Sequence, residues 1–273
     1  MARRFGRDSF RAAGAGEPSG RWGTPRARQA ADPGAAPQPT RMGVETIRDA
    51  IAGLTLRMHF QPLVDLGVGR VVAYEALARF QGHPDTTPDG WFRTASAHGL
   101  RVELELAAVA YGLRALRDLR DEVAVCVNLS AAGMLSGGLA RCLEGLPPDR
   151  VVLELTEQDE VDDYRELNRA LLRYRADGVR LAVDDAGAGF ASMKHIVSLQ
   201  PDIIKLDASW VTDIDADPVR RAMVASLASF ATSIDAVMVG EAVETQGQAD
   251  VLRDIGVPWA QGYFFARPAP LAP

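Results

Sequence analysis

The 273-residue sequence predicts an α/β fold, a modified TIM-type (β/α)8 barrel with one antiparallel strand, preceded by a disordered N-terminal tail. Three observations carry that expectation. Short apolar runs alternate with helical segments from Leu56 to Phe265, giving about eight strands in close to the roughly 250 residues such a barrel uses. The runs after Val123 are β-branched and almost continuously apolar, as parallel strands covered on both faces must be. Polar residues stand at or just past the ends of these runs, where a barrel keeps its functional groups. A doubly wound open sheet is the alternative architecture.

Residues 1–43 are rich in Ala, Arg, Gly and Pro and lack hydrophobic periodicity, which reads as a disordered extension. One domain is expected over 44–273, standing alone. It opens with the helical spacing of VETIRDAIAGL. Two strands follow, LRMHFQPLVDL and VVAYEALARF, and the short GVGR turn between them makes the pair antiparallel. Helix WFRTASAHG and the long VELELAAVAYGLRALRDL lead to strand VAVCVNLS, a short helix around GGLARCLEGL, and strand RVVLELTE. The amphipathic YRELNRALLRYRADG ends at Gly178, suited to a C-cap, before strand VRLAVDD. Helix MKHIVSL, strand DIIKLD and a helix opening at Asp217-Pro218 come next, since Asp caps and Pro fits the first turn. Strand AVMVGE, helix QGQADVLRDIG and the run WAQGYFF close the series.

Composition narrows the function classes. The tail holds eight arginines against Asp8, Glu17 and Asp32, so the formal charge of −6 leaves the remainder at −11. A domain that acidic is a poor partner for duplex nucleic acid. No run approaches the roughly 18 apolar residues of a membrane span. Cys126 in an apolar run and Cys142 on a helix read as free thiols, which fits a reducing, cytoplasmic location. His59, His83, His98 and His195 show no metal-ligand spacing.

The candidate site consists of Glu75, Glu154, Asp184, Asp185 and Glu241 at strand ends, with Asn128, Lys205 and Gln261 in equivalent places. Two carboxylates about 4 Å apart repel by roughly 4 kcal/mol at an effective dielectric near 20, and one lysine cannot neutralise five of them. Divalent cations can, and an all-oxygen ligand set points to the hard ions Mg²⁺ or Mn²⁺. Glu75, Asn128, Glu154 and Asp184 supply oxygens for one ion. Asp184 bridges to a second, completed by Asp185 and Glu241. Adjacent aspartates face the same site only if the strand ends there, which Gly187 and Gly189 make feasible. Two such ions suit in-line displacement at phosphorus, so phosphodiester hydrolysis is the expected chemistry, with Lys205 holding the nucleophile or offsetting charge.

In this order, FQPLVDL (60–66), YEALARF (74–80), VNLS (127–130), LELTE (153–157), VDDAGAGFAS (183–192), PDIIKLD (201–207), GEAVET (240–245) and QGYFFARP (261–268) resemble the EAL-domain cyclic di-GMP phosphodiesterases. The resemblance implies hydrolysis of cyclic di-GMP to linear pGpG with two Mg²⁺ or Mn²⁺ ions. It implies metal binding by Glu75, Asn128, Glu154, Asp184, Asp185 and Glu241, an activated water at Lys205, and a place for Gln261 in the metal and water network. Glu157 resembles a loop-anchoring glutamate and Glu244 an acid of the outer layer; Gln61, Leu77 and Arg79 match substrate-contacting positions. A homodimer is a further implication. Ala186 stands where the family usually has Phe, and Ala242 where it usually has Gly. The alternative is an EAL-type receptor or interaction module that binds without turnover.

Overall fold

The computed structural model describes residues 42–155, 161–186 and 190–271. Residues 1–41 of the expected tail, Glu157, Gly187 and Gly189 lie outside them.

Eight strands close into one barrel in sequence order: β1 (Leu56–Asp65), β2 (Arg70–Phe80), β3 (Ala124–Asn128), β4 (Val151–Leu155), β5 (Arg180–Ala186), β6 (Ile203–Leu206), β7 (Val237–Gly240) and β8 (Trp259–Ala260). β1 runs antiparallel to both of its neighbours, β2 and β8, and every other pair is parallel. The short turn after Asp65 leaves no room for a crossover, so the hairpin sets the odd strand's direction. The open-sheet alternative is excluded by closure.

Helices α1 (Val44–Ile51), α2 (Pro88–Ala97), α3 (Arg101–Leu113), α4 (Ala131–Leu135), α5 (Gly138–Leu143), α6 (Tyr164–Ala176), α7 (Phe190–Leu199), α8 (Ala208–Val211), α9 (Pro218–Ser233) and α10 (Gln246–Asp254) cover the strands. Their starts follow local chemistry. Thr87, Ser130, Asp163 and Asp217 accept backbone N–H bonds as N-caps, Pro218 fills the first turn of α9, and Thr245 and Gln248 form a capping box. Gly178, just past α6, has φ 111°, the conformation expected of it.

Three expectations change in detail. The long helix after Leu100 stops at Leu113 and tightens into a 3-10 turn over Arg114–Arg117. The last run keeps only two strand residues, because Gly262 turns the chain at φ 159° and lies so close to Val243 that an added Cβ would sit 2.1 Å from its carbonyl oxygen. β5 runs through the paired aspartates, as expected, and one residue beyond them. Its pairing with β6 is irregular between Val183 and Ala186, and Asp185 takes the left-handed conformation at φ 54°. The kink that frees both carboxylates therefore lies in Asp185 itself, a residue type that tolerates this region.

Small and medium apolar side chains, among them Leu63, Cys126, Val152, Ala182 and Val239, fill the barrel's interior. Alternate residues face outward. Val125, Val127, Leu153 and Leu155 pack beneath α3 and α6, and Ile204, Leu206 and Met238 beneath α7 and α9. The interior polar positions cluster at one rim: Glu75, Glu154, Asp184, Lys205 and Gln261 are all buried. Among the described residues no helix is long and apolar enough to cross a membrane.

Candidate active site

Lys205, 1 % exposed, occupies the centre of the rim. Its Nζ lies 2.9 Å from Glu241 Oε1, 3.0 Å from Asp184 Oδ1, 3.1 Å from Glu154 Oε2 and 3.4 Å from Glu75 Oε2. The four partners come from β2, β4, β5 and the residue after β7. Only a closed barrel brings them within reach of one ammonium group.

A second layer of bonds holds Glu75. Asn128 Nδ2 donates to its Oε1 at 2.9 Å, and Gln261 Nε2 to its Oε2 at 2.7 Å. Gln261 Nε2 also reaches Gln61 Oε1 at 3.1 Å, and Gln61 Nε2 donates to the Ala266 carbonyl at 3.0 Å. Gln61 thus ties the chain after β8 to the carboxylate of β2. On the opposite side the Asp185 N–H donates to Asp184 Oδ1 at 3.0 Å, fixing that carboxylate across the kink.

The carboxylates form two groups, Glu75 with Glu154 and Asp184, and Asp184 with Asp185 and Glu241; within each, one oxygen per residue lies within 4.8 Å of the others. Asp184 belongs to both. Charge balance and unsatisfied atoms test whether cations fit. One lysine faces four carboxylates, and Glu154 Oε1 and Gln261 Oε1 are buried with no hydrogen-bond partner among the described residues. Buried oxygens left without donors are what a hard cation satisfies.

The same imbalance appears as proton affinity. Burial raises Glu154 to about 8, against the pull of Lys205 and with the help of Glu75 and Asp184. Burial likewise raises Asp184 and lifts Glu241 far up. Burial also works upward on Glu75, yet Lys205, Gln261 and Asn128 together hold it below the usual value. For Lys205 burial acts downward, and its carboxylates overcome it and drive the ammonium well up. The lysine stays charged while the raised acids Glu154, Asp184 and Glu241 favour protons or cations. Beneath them the Cys126 thiol is pushed well up by burial and then by Glu154, so it stays protonated.

A cleft of about 690 Å³ beside the cluster is lined by Asn128 and Asp185 together with Leu77, Arg79, Phe92 and Arg93. Arg79 donates one bond to the Ala78 carbonyl at 2.9 Å. Leu77 and Arg79, two expected substrate contacts, line this cleft. Gln61, the third, is only 8 % exposed and sits behind Glu75. Glu244 is exposed, and no hydrogen bond or ion pair of its side chain to the cluster is found among the described residues. Sequence reasoning missed Glu105, a buried acid lining the cleft that accepts from Arg101 Nε at 2.6 Å and Ser130 Oγ at 2.5 Å. Its signal was the four-residue spacing from Arg101 on one helix face.

The site is thus a closed barrel whose rim carries two acid groups sharing an aspartate, an oxygen donor set that suits divalent cations, beside a cleft that carries arginine. Residues 44–268 match the family described as the EAL domain, and the chain belongs to that family. Cyclic di-GMP phosphodiesterase NbdA of Pseudomonas aeruginosa is 32% identical over 241 residues, covering 84% of this chain and 31% of that protein. Probable cyclic di-GMP phosphodiesterase PdeB of Escherichia coli is 29% identical over 238 residues, covering 82% and 45%. Among solved structures, the PaMucR phosphodiesterase in complex with c-di-GMP superposes with a TM-score of 0.72 at 26% identity, over 83% of this chain and 97% of that one. Klebsiella pneumoniae BlrP1 with manganese and cyclic di-GMP gives 0.71 at 27% identity, over 86% and 58%. The chain spans about a third of the length of several curated relatives it matches.

Proposed function

We propose that this chain is a metal-dependent phosphodiesterase that hydrolyses cyclic di-GMP to linear pGpG with two Mg²⁺ or Mn²⁺ ions, acting in the cytoplasm. The observation that carries the reading is Asp184's membership of both carboxylate groups around Lys205. Glu75, Asn128, Glu154 and Asp184 hold one ion; Asp184, Asp185 and Glu241 hold the other. When bound, a pair of divalent ions stabilises the attacking and leaving oxygens of in-line displacement at phosphorus. Lys205 orients the attacking water through its ammonium donors. Gln261, backed by Gln61, fixes Glu75; Leu77 packs against the substrate, and Arg79 donates to a phosphate oxygen. Glu157 anchors the loop after the paired aspartates. The names of NbdA and PdeB and the ligands in PaMucR and BlrP1 support the substrate and the use of divalent ions.

The test is incubation of purified protein with cyclic di-GMP and Mn²⁺, chromatography of the products, and a parallel run with EDTA. pGpG that appears only without EDTA, and not with Glu75→Ala, is the expected result. Unchanged substrate in the presence of tight nucleotide binding makes the chain a receptor instead. A homodimer, the remaining part of the reading, is checked by sedimentation equilibrium.

A further inference from the structure

We propose that an apolar cavity on the outer face of β5, β6 and β7 binds a neutral aromatic molecule and that its occupancy bears on the rim. The cavity, about 530 Å³, lies between the barrel wall and helices α7, α8 and α9, on the far side of the strands from Lys205. Its depth is buried: Ala186 is 4 % exposed, Leu206 0 % and Met238 1 %. Its mouth is marked by Met193 and Met223, at 37 % and 46 % exposure.

The lining chooses the ligand. Among the described residues no charged side chain lines the cavity, so an ionic ligand finds no counter-charge. Water needs polar partners that such a wall lacks, and an apolar cavity of only about 150 Å³ already stays dry and takes benzene. Three thioethers, Met193, Met223 and Met238, face two aromatic rings, Trp210 and Phe230. Polarisable sulfur and aromatic edges favour a ring over a saturated chain.

The cavity's position makes occupancy consequential. Ala186 directly follows Asp184 and Asp185, and it pairs with Leu206, the residue after Lys205, just beyond the irregular stretch of β5. Ala186 and Leu206 thus turn outward against the ligand while Asp184 and Lys205 meet at 3.0 Å inside. A close-packed wall transmits displacement rather than absorbing it. This coupling rests on the metal reading above, whereas the cavity itself does not.

Indole is the probe, titrated calorimetrically into the full chain, with palmitate as the charged acyl comparison. Indole is expected to bind in preference to palmitate. Ala186→Phe, which fills the cavity, and Met223→Lys, which charges its mouth without touching the core, should each weaken indole by about tenfold or more. Saturating indole should also change Mn²⁺ affinity, read by titration, several-fold in the wild type and not in a folded Ala186→Phe. Failure of indole to bind, binding undiminished in Met223→Lys, stronger binding of palmitate, or a dimer that shields Met193 and Met223 and excludes indole overturns the site. Indole binding with unaltered Mn²⁺ affinity overturns the coupling. Indole binding by a protein that takes up no Mn²⁺ sustains the cavity and defeats only the metal assignment.

Discussion

Glu154 and Lys205, 51 positions apart, meet at 3.1 Å with 0 % and 1 % of their side chains exposed. An ion pair so far from water is strongly destabilised when one partner is lost, by about 3–5 kcal/mol, because a charge is left buried without its counterpart. Here the loss is asymmetric. Lys205→Met leaves four carboxylates with no cation, so the metal-free variant is expected to melt well below the wild type. Saturating Mn²⁺ should restore much of the difference. Thermal melts of both proteins with and without Mn²⁺ measure it; an equal deficit in both conditions defeats the assignment of these acids to metal.

Glu154, raised to about 8, makes the metal-free protein sensitive to pH. An acid whose folded pKa exceeds its unfolded value binds more protons when folded, so stability falls as pH rises between the two values. The window runs from the ordinary glutamate value near 4.5 up to about 8. Asp184 and Glu241, also raised, add to the slope, while Glu75, lowered, acts only below the window, where it makes stability rise with pH. Denaturant midpoints in EDTA should therefore fall across that window, and the fall should flatten with Mn²⁺. A midpoint in EDTA that rises steadily over the same range shows that these acids are not held protonated by burial.

The placement of the acids was legible in the sequence because strand-end positions recur at the period of a strand and its helix. Closure of the barrel then fixes the side on which they meet. What the sequence hid was local backbone geometry. Asp185 accommodates the paired aspartates through its own left-handed conformation and not through a strand end, and no composition rule singles out one Asp for that. Gln61 is not among the described residues lining the cleft beside the cluster; the Ala266 carbonyl and Gln261 take both ends of its amide, a contact across 205 positions that no periodicity encodes. Glu244 was placed by motif order, yet it sits where the chain turns into α10, and its side chain faces solvent.

Ala242, next to Glu241, adopts φ 52°. That conformation costs a residue with a Cβ about 1–2 kcal/mol, partly offset in a glycine by the greater freedom of its unfolded chain. Ala242→Gly is therefore expected to stabilise the protein by about 0.5–1 kcal/mol. Denaturant titration checks the sign, and a destabilised variant shows that the Ala242 methyl makes contacts worth more than the strain.

Gln261→Leu keeps the side chain's size but removes the donor that reaches Glu75 at 2.7 Å. Glu75 loses one of the bonds that hold it below its usual pKa, so it becomes easier to protonate and freer to turn. Under the proposed function, kcat should drop about tenfold or more, the expected scale for losing a hydrogen bond to a charged group. The acid limb of the pH profile should move upward. Gln61→Leu acts one bond further back and should show a smaller loss of the same kind. If Gln61→Leu instead raises KM and leaves kcat and the pH profile alone, Gln61 is a substrate contact and the relay from Ala266 to Glu75 carries no catalytic weight.

Arg79 lies four residues beyond Glu75 on β2, about 14 Å along the strand at about 3.4 Å per residue. It faces the same cleft as Leu77. A group that far from the carboxylates contacts the part of a dinucleotide remote from the reacting phosphorus, where binding is equal in ground and transition states. Losing it should raise KM and spare kcat. Because a guanidinium on a phosphate oxygen contributes about 1.5–3 kcal/mol, Arg79→Ala is expected to raise KM by about tenfold to a hundredfold. Arg79→Lys should recover only part, since an ammonium keeps the charge and loses the fork. Steady-state kinetics on the three proteins decides it: a fall in kcat at constant KM places Arg79 at the reacting phosphorus and reverses the polarity of substrate in the cleft.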